Sequence, residues 1–118
     1  MSAPARQSPI FVRTYDLLQW LLPHTSGWPR KYRFTLTQEL IRAAMRFQER
    51  ILEATLTGET AKRLEQADVE LQKVRLYLRL GYDLQLIAPK QYAHVSELLG
   101  HVGRLLGAWR SKGGVTPS

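Results

Sequence analysis

Apolar residues recur along the chain at three- and four-residue intervals, the period of an amphipathic helix. Over 10–23, Ile10, Leu17 and Leu21 share one face, with Leu18 and Leu22 beside it. Pro23, Gly27 and Pro29 then interrupt the pattern. A second periodic segment covers 35–56, with Thr35 or Thr37 as its N-cap and Thr57-Gly58 as its stop. A third covers 60–88. A fourth starts at Pro89, which suits a first helical turn, and ends near Arg110. The links from the second segment to the fourth are short, which makes sequential helices antiparallel neighbours. The pattern predicts an all-α, antiparallel, up-and-down four-helix bundle over 10–110. Tails at 1–9 and 111–118, rich in Ser, Pro and Gly, are expected to be disordered.

A monomeric bundle needs one apolar stripe per helix, and two segments carry more than that. In the second, Leu36, Leu40, Ala44, Phe47 and Ile51 form one stripe, while Ile41, Met45 and Leu52 form another rotated by roughly 120°. In the third, Ala67, Leu71, Val74 and Leu78 form one stripe. Val69, Leu76, Leu80 and Ile87 form a second on the opposite side. The chain is too small to enclose a helix on both sides, so these second stripes predict an interface between copies of itself. The plainer alternative is a partly covered flank, since scattered exposed apolar residues are normal. In the fourth segment Val95, Leu99, Val102, Leu106 and Trp109 form the core stripe. Gly100, Gly103 and Gly107 cluster on a neighbouring face, where each costs about 1 kcal/mol relative to Ala. Their clustering predicts the close approach of another backbone, from the same chain or from a neighbour.

Composition narrows the possible functions. The chain has 118 residues, enough for one domain with one core, and no Cys, which excludes disulfides and thiolate metal sites. That suits a reducing, cytoplasmic setting. No apolar run approaches the roughly 18 residues that cross a bilayer, and the first residues lack the order of a secretion signal. A membrane-surface role would need a continuous basic amphipathic helix, which is missing. Seventeen Lys and Arg, twelve of them Arg, face ten Asp and Glu, for a net charge of +7. Such an excess favours polyanions, and Arg suits phosphate through its paired N–H donors. Solubility alone would also account for it.

Candidate catalytic groups are few. His94 and His101 fall two turns apart on one helix face with no third ligand in the pattern, so no metal site and no cofactor is expected. Glu39, Glu49 and Glu53 are helix-surface carboxylates with arginines nearby. No nucleophile sits in a recognisable turn, and no enzyme activity is expected.

The basic residues carry more signal. Trp28-Pro-Arg-Lys-Tyr-Arg-Phe34 packs three cations and three aromatics into seven positions, offering phosphate contacts beside stacking surfaces. Trp28 and Phe34 would equally seal the end of the bundle. Arg42, Arg46 and Arg50 repeat at one-turn spacing, and Lys73, Arg75, Arg79 and Arg104 extend the charge over the third and fourth helices. With Arg30, Lys31 and Arg33, these are the candidate nucleic-acid-binding residues. No base-reading motif accompanies them, so sequence specificity is not expected.

Residues Trp28 to Ala43, reading Trp-Pro-Arg-Lys-Tyr-Arg-Phe-Thr-Leu-Thr-Gln-Glu-Leu-Ile-Arg-Ala, resemble the signature of a family of small four-helix-bundle proteins. One branch is encoded within ribosomal-RNA intervening sequences. The other is Avd, the accessory variability determinant of diversity-generating retroelements. Segments Ala67–Leu80 and Val102–Trp109 are more similar to Avd, and Met45–Ala54 lacks the Asn-Ile-Ala-Glu-Gly pattern of the first branch. The resemblance spans about 10–112. It implies a homopentameric ring that binds a reverse transcriptase and nucleic acid (template RNA, possibly DNA) and supports mutagenic cDNA synthesis, with the polymerase chemistry in the partner. Five copies of a +7 chain would carry about +35, making RNA binding steeply salt-dependent. The alternative is an interaction module of the intervening-sequence type without a reverse-transcriptase partner.

Overall fold

A computed structural model describes residues 8–113, and these form four α-helices. They are α1 (Pro9–Ser26), α2 (Gln38–Leu56), α3 (Thr60–Asp83) and α4 (Pro89–Ser111). The start of α1 lies against the end of α2, where Phe11, Val12 and Tyr15 meet Gln48 and Leu52. Arg110 of α4 reaches Asp68 of α3, while Arg75 reaches Leu99, so those two helices also run in opposite directions. The end of α1 meets the start of α4 at Trp20 and His94. The order is therefore up-down-up-down, with α2 and α3 packed most extensively and α4 closing on α1.

The core is built from the expected stripes. Leu36, Leu40, Ala44, Phe47 and Ile51 of the second segment are buried, as are Ala67, Leu71, Val74 and Leu78 of α3. So are Val95, Leu99, Val102, Leu106 and Trp109 of α4. From α1 come Ile10, Phe11, Leu17, Leu18 and Leu21. Thr14 and Thr25 are buried beside them and return their hydroxyls to the carbonyls of Ile10 and Leu21, at 2.7 and 2.8 Å.

The ends differ from expectation in four places. First, α1 continues through Pro23 to Ser26. A proline there removes one donor and leaves the carbonyl of exposed Gln19 to water, a small cost in a last turn. Second, neither Thr35 nor Thr37 caps α2. Thr37 is itself helical, and the backbone continues backward through a π turn (Arg33–Thr37) and a 3-10 turn (Arg30–Tyr32) to Pro29.

Third, α3 stops at Asp83, five residues before the expected Ala88. Gln85 adopts φ 63°, the Gln85 N–H donates to the Tyr82 carbonyl, and the Leu86 N–H donates to the Gly81 carbonyl. This is a Schellman stop with glutamine in the position glycine usually takes. Reversal there turns Ile87 inward, to 4% exposure, so Ile87 belongs to the core and not to the outward stripe. Fourth, the expected tails fall mostly outside the described residues, but Pro9 and Ser111 are helical.

A left-handed residue other than Gly, Asn or Asp costs roughly 1 kcal/mol. Gln85→Gly is therefore expected to raise the unfolding free energy by about that amount in urea melts. An equal or lower stability would show that the Gln85 side chain stabilises the stop.

Candidate nucleic-acid interface

The loop after α1 separates its aromatics from its cations. Trp28 is half-buried and lies against Gly81 of α3, where a Cβ would come within 2.8 Å of the indole ring. It seals the bundle end, which is one of its two expected roles. Phe34 does the opposite and stands 76% exposed. Arg30, Lys31 and Arg33 are all exposed on the two short turns, with the Lys31 ammonium 5.3 Å from the Tyr32 ring centre. None of the three forms an ion pair among the described residues, so this end of the molecule presents three cations free for an anion.

The other candidate cations divide into paired and unpaired sets. Arg50 donates to Glu53 at 3.0 Å and Arg79 to Asp83 at 3.4 Å. Arg42 lies 3.8 Å from Glu39, and Lys73 lies 3.7 Å from Glu70. Arg46 is exposed and has no carboxylate within ion-pair distance among the described residues. Glu70 is buried with one carboxylate oxygen lacking a hydrogen bond. Such a buried acceptor is costly to leave unmet.

Arg75 and Arg104 sit on the α3–α4 face, in a cleft of about 250 Å³ shared with Gly100, Gly103, Gly107 and Arg110. The ten candidates thus fall on the loop at Arg30–Arg33, on α2 (Arg42, Arg46 and Arg50), on α3 (Lys73 and Arg79) and in the α3–α4 cleft (Arg75 and Arg104).

Two of the three glycines of α4 face arginine side chains and the third faces open space, so within the chain no backbone makes the expected close approach. A Cβ on Gly103 would meet the Arg75 guanidinium at 2.5 Å, one on Gly100 would meet Arg104 at 3.3 Å, and one on Gly107 would meet nothing. Arg75 lies across α4 and donates to the Leu99 carbonyl at 3.2 Å. The glycine spacing is visible in the sequence, whereas the arginine that uses it sits 28 positions earlier on another helix.

The outward stripe of α3 is exposed as expected at Val69 (52%), Leu76 (61%) and Leu80 (43%). On α2, Met45 is exposed, while Ile41 and Leu52 are half-buried against the core. Leu80 also lines an open groove of about 530 Å³ with Phe34, Leu84, Tyr32 and Tyr77. Helical periodicity does not place Phe34 or Leu84 on an apolar surface, because both lie in irregular turns.

A family model described as bAvd-like matches residues 10–113. The chain belongs to the bAvd-like family. That membership covers nearly all the described residues and accords with the four helices seen. It makes the chain an Avd-type protein, of an accessory and non-catalytic family. No individual curated protein matches the chain significantly. Among the described residues no helix is long and apolar enough to cross a membrane.

The Arg75–Gly103 contact is open to a direct test. Gly→Ala in a helix interior gains about 1 kcal/mol where space is open, so Gly107→Ala should stabilise the fold by about that much. Gly103→Ala displaces the Arg75 guanidinium from the Leu99 carbonyl, losing a hydrogen bond worth about 1 kcal/mol. Its net effect should be near zero, and the missing gain should return in an Arg75→Ala background. Equal gains at both glycines in the parent chain would contradict the contact.

Proposed function

We propose that this Avd-type protein is a non-catalytic accessory factor of a diversity-generating retroelement. It binds the element's reverse transcriptase and its template RNA or cDNA, and supports mutagenic cDNA synthesis as a ring of identical chains. The observation that carries this reading is the bAvd-like family match across residues 10–113. Two physical features support it. The net charge of +7 includes loop and α4 cations without carboxylate partners among the described residues, which suits a phosphate backbone. The outward stripe of α3 leaves Val69, Leu76 and Leu80 for a second copy to cover. A ring would repeat the Arg30–Arg33 turns around its circumference, so that weak contacts from each copy add.

An interaction module without nucleic acid is the second reading, favoured by the apolar groove at Phe34, Leu80 and Leu84. Fluorescence anisotropy with a labelled single-stranded RNA separates the two. Binding is expected at low salt and should weaken steeply as salt rises. The triple change Arg30→Ala, Lys31→Ala, Arg33→Ala should weaken it by tenfold or more and flatten the salt slope. Absence of RNA binding at low salt favours the interaction module, and an unchanged slope removes the loop cluster from the site.

A further inference from the structure

We propose that the α3–α4 cleft is a seat for a phosphate group, formed by Arg75 and Arg104 and bounded by Arg110. The proposal rests on the nucleic-acid reading above only for the source of the phosphate, a polynucleotide backbone. A free phosphate compound shares the same chemistry.

Four observations carry it. Arg75 and Arg104 line the same concavity, and neither has a carboxylate within ion-pair distance among the described residues. Eight of the other arginines and lysines described are so paired. Arg75 is also held in place. Its aliphatic stem crosses from α3, its guanidinium lies against Gly103, and one N–H is fixed on the Leu99 carbonyl. An arginine carries five N–H donors, so most of those on Arg75 stay free, in an orientation set before any ligand arrives. Preorganised donors lose less entropy on binding than a mobile surface arginine does.

The third observation is room. Arg104 folds along α4 toward Gly100, and the position of Gly107 is open, so part of the cleft is lined by glycine with no side chain to fill it. The fourth is the balance of charge. Asp68 is the one acidic residue lining the cleft, and it is already engaged by Arg110 at 3.0 Å. Three guanidiniums against one carboxylate leave the cleft with an excess of two positive charges, matching a phosphate monoester dianion or two neighbouring phosphodiesters.

The test uses the full chain and two variants at surface positions that do not enter the core. Arg104→Gln removes one guanidinium. Gly107→Glu places a carboxylate in the open part of the cleft, where nothing lies within 4 Å of a new Cβ. Circular dichroism melts establish that both remain folded. Binding of labelled single-stranded RNA is followed against salt, and amide shifts at Gly100, Gly103 and Gly107 are followed by NMR on addition of inorganic pyrophosphate.

If the seat serves a polynucleotide, both variants bind RNA several-fold more weakly. Their salt slopes fall by about 0.7 for each phosphate that the variant no longer neutralises. If the parent chain binds no RNA yet pyrophosphate shifts the three glycine amides, and the variants abolish those shifts, the seat stands with a free-phosphate ligand and the nucleic-acid reading falls. Parent-like RNA affinity and slope in both variants, without pyrophosphate shifts, would overturn the seat while leaving the nucleic-acid reading intact. No RNA binding and no shifts would overturn both.

Discussion

Each helix of a four-helix bundle can turn only one side inward, and that geometric limit organises what lies outside this core. In α3 the inward side is taken by Ala67, Leu71, Val74 and Leu78. Val69, Leu76 and Leu80 are then forced outward, because residues opposite on a helix cannot both face three neighbours. The Schellman stop at Gln85 adds to this by ending α3 before Ile87 and folding that side chain inward. The outward stripe is consequently shorter than the periodicity implies, but it is extended by Phe34 and Leu84 from the adjoining turns. A second copy is the cover proposed for it.

The same limit shapes the charge. Most surface cations of α2 and α3 find a carboxylate three or four residues away. Exposed pairs of this kind are worth only about 0–1 kcal/mol, so they give way readily to a polyanion. The loop at Arg30, Lys31 and Arg33 has no such partners among the described residues, because no Asp or Glu occurs between Asp16 and Glu39 to stand at that spacing. On α4, Arg104 is likewise unpaired, and Arg75 has been drawn across onto a glycine. The free positive charge therefore sits at the Arg30–Arg33 turns, where Tyr32 and Phe34 adjoin Leu80 of the outward stripe, along the α3–α4 seam, and at Arg46 on α2.

Much of the fold was legible because helical period and burial are the same signal read twice. Every residue of the core stripes assigned to α2, α3 and α4 is buried. What escaped reading had a non-periodic cause. Gln85 gives no glycine to mark the end of α3, and Pro23 marks an end that α1 passes through. The glycines of α4 announced a close neighbour without naming it, since the partner Arg75 is distant in sequence. The candidate cations were identifiable by type and spacing, but their division into paired and free depends on side-chain reach, which only the structure supplies. The buried Glu70, with its unmet oxygen, had no counterpart in the periodic pattern at all.

The proposed interface between copies is the exposed stripe of α3. Light scattering of the purified chain at micromolar concentration tests it most directly. A mass several times that of the 13.6 kDa chain is expected, collapsing toward one chain when Leu76 and Leu80 are both changed to Gln. A parent protein that scatters as a 13.6 kDa monomer would contradict it.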